Sequence, residues 1–354
     1  MHVPQLDLEP ASTTNRERVR TRLDRLAKPP GSLGRLEHLA VRLAGMQHRA
    51  RPRLDQPRVV IFAASHAVAD NHSVSAYPPE TTARVVEAFC NGSAAVNALA
   101  DRADLPVDVV DLGVEGLSDD LTIDEPNVTV RRPSLASPGA RDLVDGPAAP
   151  EETATQALEA GLETARRADA GGADAICLGD VGIGNTTSAA AVAARLLDRS
   201  PSEMTGPGSG LDADGVDHKA GVVERALSRS TAASERPLEV LADLGGPDYL
   251  AMAGCCLGAA QRHIPVILDG YIVSTAALGA VGTDPSVADY LLPATLSAEP
   301  GHRAVLEAMD VGEPLLDWSL RLGEASAATL VVPLLRSACA VVDQMATLDE
   351  VITP

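Results

Sequence analysis

The chain is short of aromatic side chains: one Trp, four Tyr and two Phe make up 2% of its 354 residues. A core for a chain this long has to be built from Ala, Val and Leu. Positive charge is scarce as well, with 29 Lys and Arg against 49 Asp and Glu and a formal net charge of −20. That balance argues against nucleic acid and against anionic membrane surfaces as partners. No apolar run approaches the roughly 20 residues of a membrane span, and the polar opening lacks the apolar segment of a secretory leader. The five cysteines (Cys90, Cys177, Cys255, Cys256, Cys339) show no CxxC spacing and sit in apolar surroundings. They read as small buried residues in a reducing cytoplasm. No GxSxG elbow, HExxH pair or Walker A lysine occurs, so serine-hydrolase, zinc-protease and P-loop chemistry lack support. The strand at 58–64 is not followed by a GxGxxG fingerprint, which weakens an NAD-dependent dehydrogenase.

What is present starts with AICLGDVGIGNTTSAAAVAARLL (175–197). A short apolar run suits a buried parallel strand, and an alanine-rich stretch after the glycines reads as a helix. Asn185, Thr186, Thr187 and Ser188 stand where helix N-caps belong. Glycine lets backbone approach a bound group, and the N–H groups of a helix start favour anions. The stretch reads either as a phosphate-binding strand–loop–helix, with Asp180 at the strand's carboxyl end, or as an ordinary capped βα turn. Only two of the 29 basic residues are lysine, Lys28 and Lys219, so 27 are arginine. Each lysine lies in a glycine-rich segment, KPPGSLGRLE (28–37) or the loop at 206–211 that runs into Asp217, His218 and Lys219. Lysine offers a compact point charge that arginine does not.

Elsewhere, strands are expected at 58–64, 106–114, 264–270 and 290–296, and helices at 151–170 and 247–262. Residues 115–150, rich in Pro, Asp and Ser, read as a long connection with little regular structure. Strands alternating with helices predict a doubly wound, mainly parallel, Rossmann-like α/β sheet with Ser65, Asp180 and Asp269 at strand carboxyl ends. The expected division is a large nucleotide-binding domain at 55–300 and a small helical subdomain formed by 1–54 with 301–354. Glu324, at the start of an apolar helix, reads either as a dipole-complementing cap or as a base among small residues. His66 and His72 flank Asp70 at a spacing a metal can use, but no third strong ligand is near, and polar surface is the better reading.

The ordered segments KPPGSLGRLE, IFAASHAV with YPPE, GDVGIGNTTSAAA, HKAGVV, LADLGGPDYLAMAG, VILDGYIVSTAAL, LSAEPGH and RLGEASAATL resemble one family. It is the nicotinate-nucleotide–dimethylbenzimidazole phosphoribosyltransferase family of cobalamin lower-ligand synthesis, and the likeness runs from about Lys28 to the last helix. The resemblance implies an enzyme that moves the phosphoribosyl group of nicotinate mononucleotide to 5,6-dimethylbenzimidazole with inversion, without metal or organic cofactor, as a cytoplasmic homodimer. It places the catalytic base on Glu324 and associates Asp180 and Lys219 with the nucleotide. The 5′-phosphate falls on the loop Gly182, Ile183, Gly184, Asn185, Thr186 and Thr187. The base pocket falls on Tyr77 to Glu80 and on Leu322, next to Gly323. Rival readings are a relative acting on another aromatic base, a purine or a phenol, and a nucleotide-binding regulator without catalysis. The chain departs from the family pattern in Ser65-His66-Ala67 where many members have Asp-His-Gly, in Asp180 where some have Glu, and in Ala325 and Ala327 where the pattern has glycine. The two alanine methyls are expected to narrow the pocket.

Overall fold

Val59, Val60, Ile61 and Phe62 stand in succession and are all fully buried, as in a strand covered by helices on both faces. The computed structural model describes residues 6–352. Six strands form one sheet: β1 (Pro57–Ala63), β2 (Val107–Asp111), β3 (Val128–Arg131), β4 (Ala175–Val181), β5 (Val266–Leu268) and β6 (Leu291–Pro293). Every pairing is parallel and the order is β3-β2-β1-β4-β5-β6, so the fold is doubly wound α/β. The chain reverses direction across the sheet between β1 and β4, where Phe62 pairs with Asp180 and Ala63 with Val181. A crevice at the carboxyl ends of these two strands is the place where such sheets take ligands. One element departs from expectation. β3 lies inside the segment 115–150, because four residues suffice to extend β2 at the sheet edge.

With few aromatics, the layers close by small residues. Every residue of the helix Pro247–Ala260 is buried, and it lies against the helix Glu151–Ala170. A β-carbon on Gly161 would stand 1.9 Å from the Ala251 carbonyl oxygen, and one on Gly254 2.3 Å from that of Leu158. Both phenylalanines and three tyrosines (Tyr249, Tyr271, Tyr290) are buried, whereas Tyr77 and Trp318 are 56% and 65% exposed. All five cysteines are buried free thiols.

The chain ends meet. Arg22, on the helix Thr13–Arg25, donates to the carbonyls of Val342 and Met345, and Ala27 N donates to Ala346 O. One apolar cluster continues from these helices into the sheet core. Among the described residues, Ser326–Gln344 is long and apolar enough to cross a membrane, although no such run stood out in the sequence; 56% of its apolar window is buried inside the fold.

Candidate functional site

At the carboxyl ends of β4 and β5 lies a cavity of about 610 Å³. Strand β4 ends in Asp180-Val181, and the chain turns through Gly182, Ile183 and Gly184 into the helix Asn185–Leu197. The cap of this helix is Gly184, at φ 95, and not a side chain from 185–188. That position needs a left-handed residue, which glycine provides without strain. Asn185 is thereby freed to donate from Nδ2 to Asp180 Oδ2 at 2.8 Å. Gly182 has no room for a side chain: a β-carbon would stand 2.5 Å from the Ala64 carbonyl oxygen and 3.1 Å from His66 Cδ2.

Behind the loop, Lys219 is fully buried and donates to Thr186 Oγ1 at 2.6 Å and to the Gly206 carbonyl at 3.3 Å. Burial pulls its pKa down to about 8, against the opposing pull of Glu299. Glu299 Oε1 accepts from Gly208 N at 2.8 Å, and Oε2 is buried without a hydrogen-bond partner.

Opposite the loop stands the segment Gly323, Glu324, Ala325, three consecutive residues at φ 81, 62 and 57. Glu324 N donates to the Asp180 carbonyl at 3.2 Å, which clips this segment onto β4. Glu324 precedes the helix Ser326–Leu330 and is not its cap; Ala325 is. Asp269, at the end of β5, accepts from Ala327 N and Ala328 N at 2.7 and 3.0 Å and so fixes that helix's first turn. Three carboxyl groups therefore face one space. Burial raises Glu324 to about 7 and Asp269 to about 7. Asp180 lies well above the carboxylate range, through burial first and then the neighbouring Asp269 and Asp248. Such a cluster favours a positive charge between its members.

Of the residues singled out from sequence, Asp180, Gly182, Ile183, Gly184, Asn185, Thr186, Tyr77, Leu322, Gly323 and Glu324 line this cavity. Thr187 is fully buried outside the lining, and Lys219 stands one side chain behind it. Sequence reasoning missed Ser75, Ser209, Ser297 and Glu299 in the lining; the LSAEPGH segment was the available signal for the last two. The two alanines separate. Ala327 lines the cavity, whereas Ala325 is fully buried and packs on Gly179, whose β-carbon would stand 2.6 Å from Ala325 Cβ. Ser65 Oγ accepts from Glu115 N and holds the loop after β2. His66 and His72 go to different partners, Asp248 Oδ2 at 3.0 Å and Asp142 Oδ2 at 2.9 Å. The other lysine stays internal: Lys28 pairs with Glu37 at 2.7 Å, both side chains buried, and the 28–37 loop does not reach the cavity. A larger groove, of about 1050 Å³, lies among the chain-end helices, where Arg16 pairs with Asp289 and Arg42 donates to main-chain carbonyls; Gly31 and Glu37 of the 28–37 segment face it.

Comparison with known proteins agrees with this geometry. The family model described as "Phosphoribosyltransferase" matches residues 8–352. The nicotinate-nucleotide–dimethylbenzimidazole phosphoribosyltransferase of Pseudomonas aeruginosa is 47% identical over 335 residues, covering 95% of this chain and 93% of that protein. The enzyme of the same name from Azotobacter vinelandii is 46% identical, covering 92% and 90%. The crystal structure of CobT from Thermus thermophilus superposes with a TM-score of 0.87 at 43% identity, covering 96% of this chain and 98% of that one. The family match over nearly the whole chain, the relatives at 46–47% identity and the close superposition carry one conclusion: the chain belongs to the nicotinate-nucleotide–dimethylbenzimidazole phosphoribosyltransferase family.

Proposed function

We propose that this enzyme transfers the phosphoribosyl group of nicotinate mononucleotide to 5,6-dimethylbenzimidazole, giving α-ribazole 5′-phosphate and nicotinate. The observation that carries this reading is the single cavity in which Asp180, Asp269 and Glu324 face the glycine turn and helix start at Gly182–Thr186. The helix start, braced by Lys219 through Thr186, takes the phosphate. The nicotinate ring nitrogen is cationic in the substrate and leaves neutral, so departure needs no acid. The ribose carbon gains positive charge as that bond breaks, and the carboxyl cluster stabilises it. The benzimidazole attacks from the opposite face, so the β-linked substrate becomes an α-linked product. Its second N–H proton goes to Glu324, whose environment sets it near the operating pH. Tyr77, Val85 and Leu322 supply an apolar wall for the aromatic base.

The same proposal includes a homodimer, supported by Tyr77, Trp318 and Leu322, which stand exposed at or beside the cavity lining. It also includes a cytoplasmic location, supported by five buried free thiols, and the division into 55–300 and a helical unit of 1–54 with 301–354, supported by the pairing of the chain ends. The test incubates purified protein with nicotinate mononucleotide and 5,6-dimethylbenzimidazole and follows free nicotinate and the α-linked product by chromatography with mass detection. Product is expected. Bound nucleotide with no turnover on any of a panel of aromatic bases would overturn the reading.

A further inference from the structure

Outside the cavity, two helices end alike and side by side. The turns that close Arg35–Met46 and Pro247–Ala260 each contain a residue in the left-handed conformation, His48 at φ 50 and His263 at φ 57. The hydrogen bonds Arg49 N to Ala44 O and Ile264 N to Ala259 O close the two ends. Glycine takes such a position at least cost, yet both positions carry histidine, two of the eight in the chain. Their rings stack at 3.8 Å between centroids, 9° from parallel. Glu9, from the segment before the first helix, brings Oε2 to 3.9 Å from His48 Nδ1 and 3.8 Å from His263 Nε2. The three donor atoms lie within 4.8 Å of one another.

The surroundings of His48 fix its tautomer. The Tyr290 hydroxyl gives its one hydrogen to the Glu9 carbonyl at 2.7 Å, so towards His48 Nε2, 3.2 Å away, it accepts. The Pro10 carbonyl, 3.2 Å from the same nitrogen, also accepts. Nε2 therefore carries a hydrogen, and Nδ1, the ring's other nitrogen, faces the Glu9 carboxylate, an arrangement in which a cation can be shared between them. We propose that Glu9, His48 and His263 form a site for a borderline divalent cation of the Zn²⁺ class, which ties the N-terminal segment to two helix ends. Two imidazoles and a carboxylate match the zinc donor preference, with a fourth position for water. Tyr290 and Pro10 hold the remote N–H of His48, as outer partners of a metal-bound imidazole do. Bonds of about 2.0–2.2 Å put tetrahedral donors about 3.3 Å apart. Closure therefore draws in Glu9, whose side chain is 70% exposed, and turns one imidazole out of the stack.

The test titrates the untagged, chelator-stripped full chain with Zn²⁺ by calorimetry and with Co²⁺ by visible absorption. One equivalent per chain, tetrahedral Co²⁺ bands and a raised melting temperature are expected. Glu9→Gln and His263→Asn should each weaken binding at least tenfold, and Tyr290→Phe about tenfold. Asparagine tolerates the left-handed backbone, and Glu9 is exposed, so Glu9→Gln keeps the test valid even where His263→Asn fails to fold. Absence of saturable binding, or unchanged affinity in Glu9→Gln, would overturn the proposal.

Discussion

Glu324 and Lys219 carry opposite pH signatures. Glu324 titrates near 7 in the fold, raised by burial from an ordinary 4.5. As the proposed base it works ionised, so kcat should climb as pH passes through about 7. Glu324→Gln should cut kcat by about 10²–10⁴-fold, with little change in KM, in the same assay. Stability should move the other way. A carboxyl group whose pKa is raised by folding favours the native state below its unfolded value and loses that contribution as pH rises through the folded value. Above about pH 7 the buried charge is a cost that glutamine lacks, so Glu324→Gln should melt a few °C higher than wild type at about pH 8 by calorimetry. Lys219 titrates near 8 and should lose its proton within the working range. Nucleotide affinity should therefore fall above about pH 8. Lys219→Met, which keeps the volume and removes the donor to Thr186, should raise KM for nicotinate mononucleotide about tenfold or more.

At the level of elements, the glycine turn between β4 and its helix is set by contacts that leave no space. Gly182→Ala puts a methyl 2.5 Å from a main-chain oxygen, so the turn must shift away from β1. Titration calorimetry should show nucleotide affinity falling more than tenfold, with about 1–3 kcal/mol lost in denaturant unfolding. This turn was legible in the sequence because its signals are local: an apolar run, glycines at close intervals, an alanine-rich helix. The helix Glu151–Ala170 was legible to the residue for the same reason. What escaped depends on distant partners. β3 is a strand only because β2 offers it an edge, and its four residues carry too little pattern to be seen among prolines and aspartates. Gly184 caps in place of a side chain from 185–188, and Asn185 turns its amide to Asp180, a partner on the preceding strand. Glu299 belongs to the site through a backbone N–H at Gly208, 91 residues away. The pairing of Lys28 with Glu37 inside the fold depends on burial that the local run of glycines and prolines does not disclose.

For the molecule as a whole, the proposed dimer should show as twice the 36.6 kDa chain mass in light scattering. Trp318, the one tryptophan, is exposed and adjoins the lining residue Ser319. Its emission should therefore change on nucleotide binding, and a flat titration with binding proved by calorimetry would place it away from the ligand. The clip between Glu324 N and the Asp180 carbonyl has a further consequence. It joins residues 144 positions apart, and closing so long a loop is slow because its entropy must be lost before any contact forms. During synthesis the nucleotide turn leaves the ribosome well before the proposed base. The glycine turn is therefore synthesised before the carboxylate that the proposed reaction needs, and the apolar face of the last helices, which belongs to the same core as the sheet, closes the fold only once the chain is nearly whole.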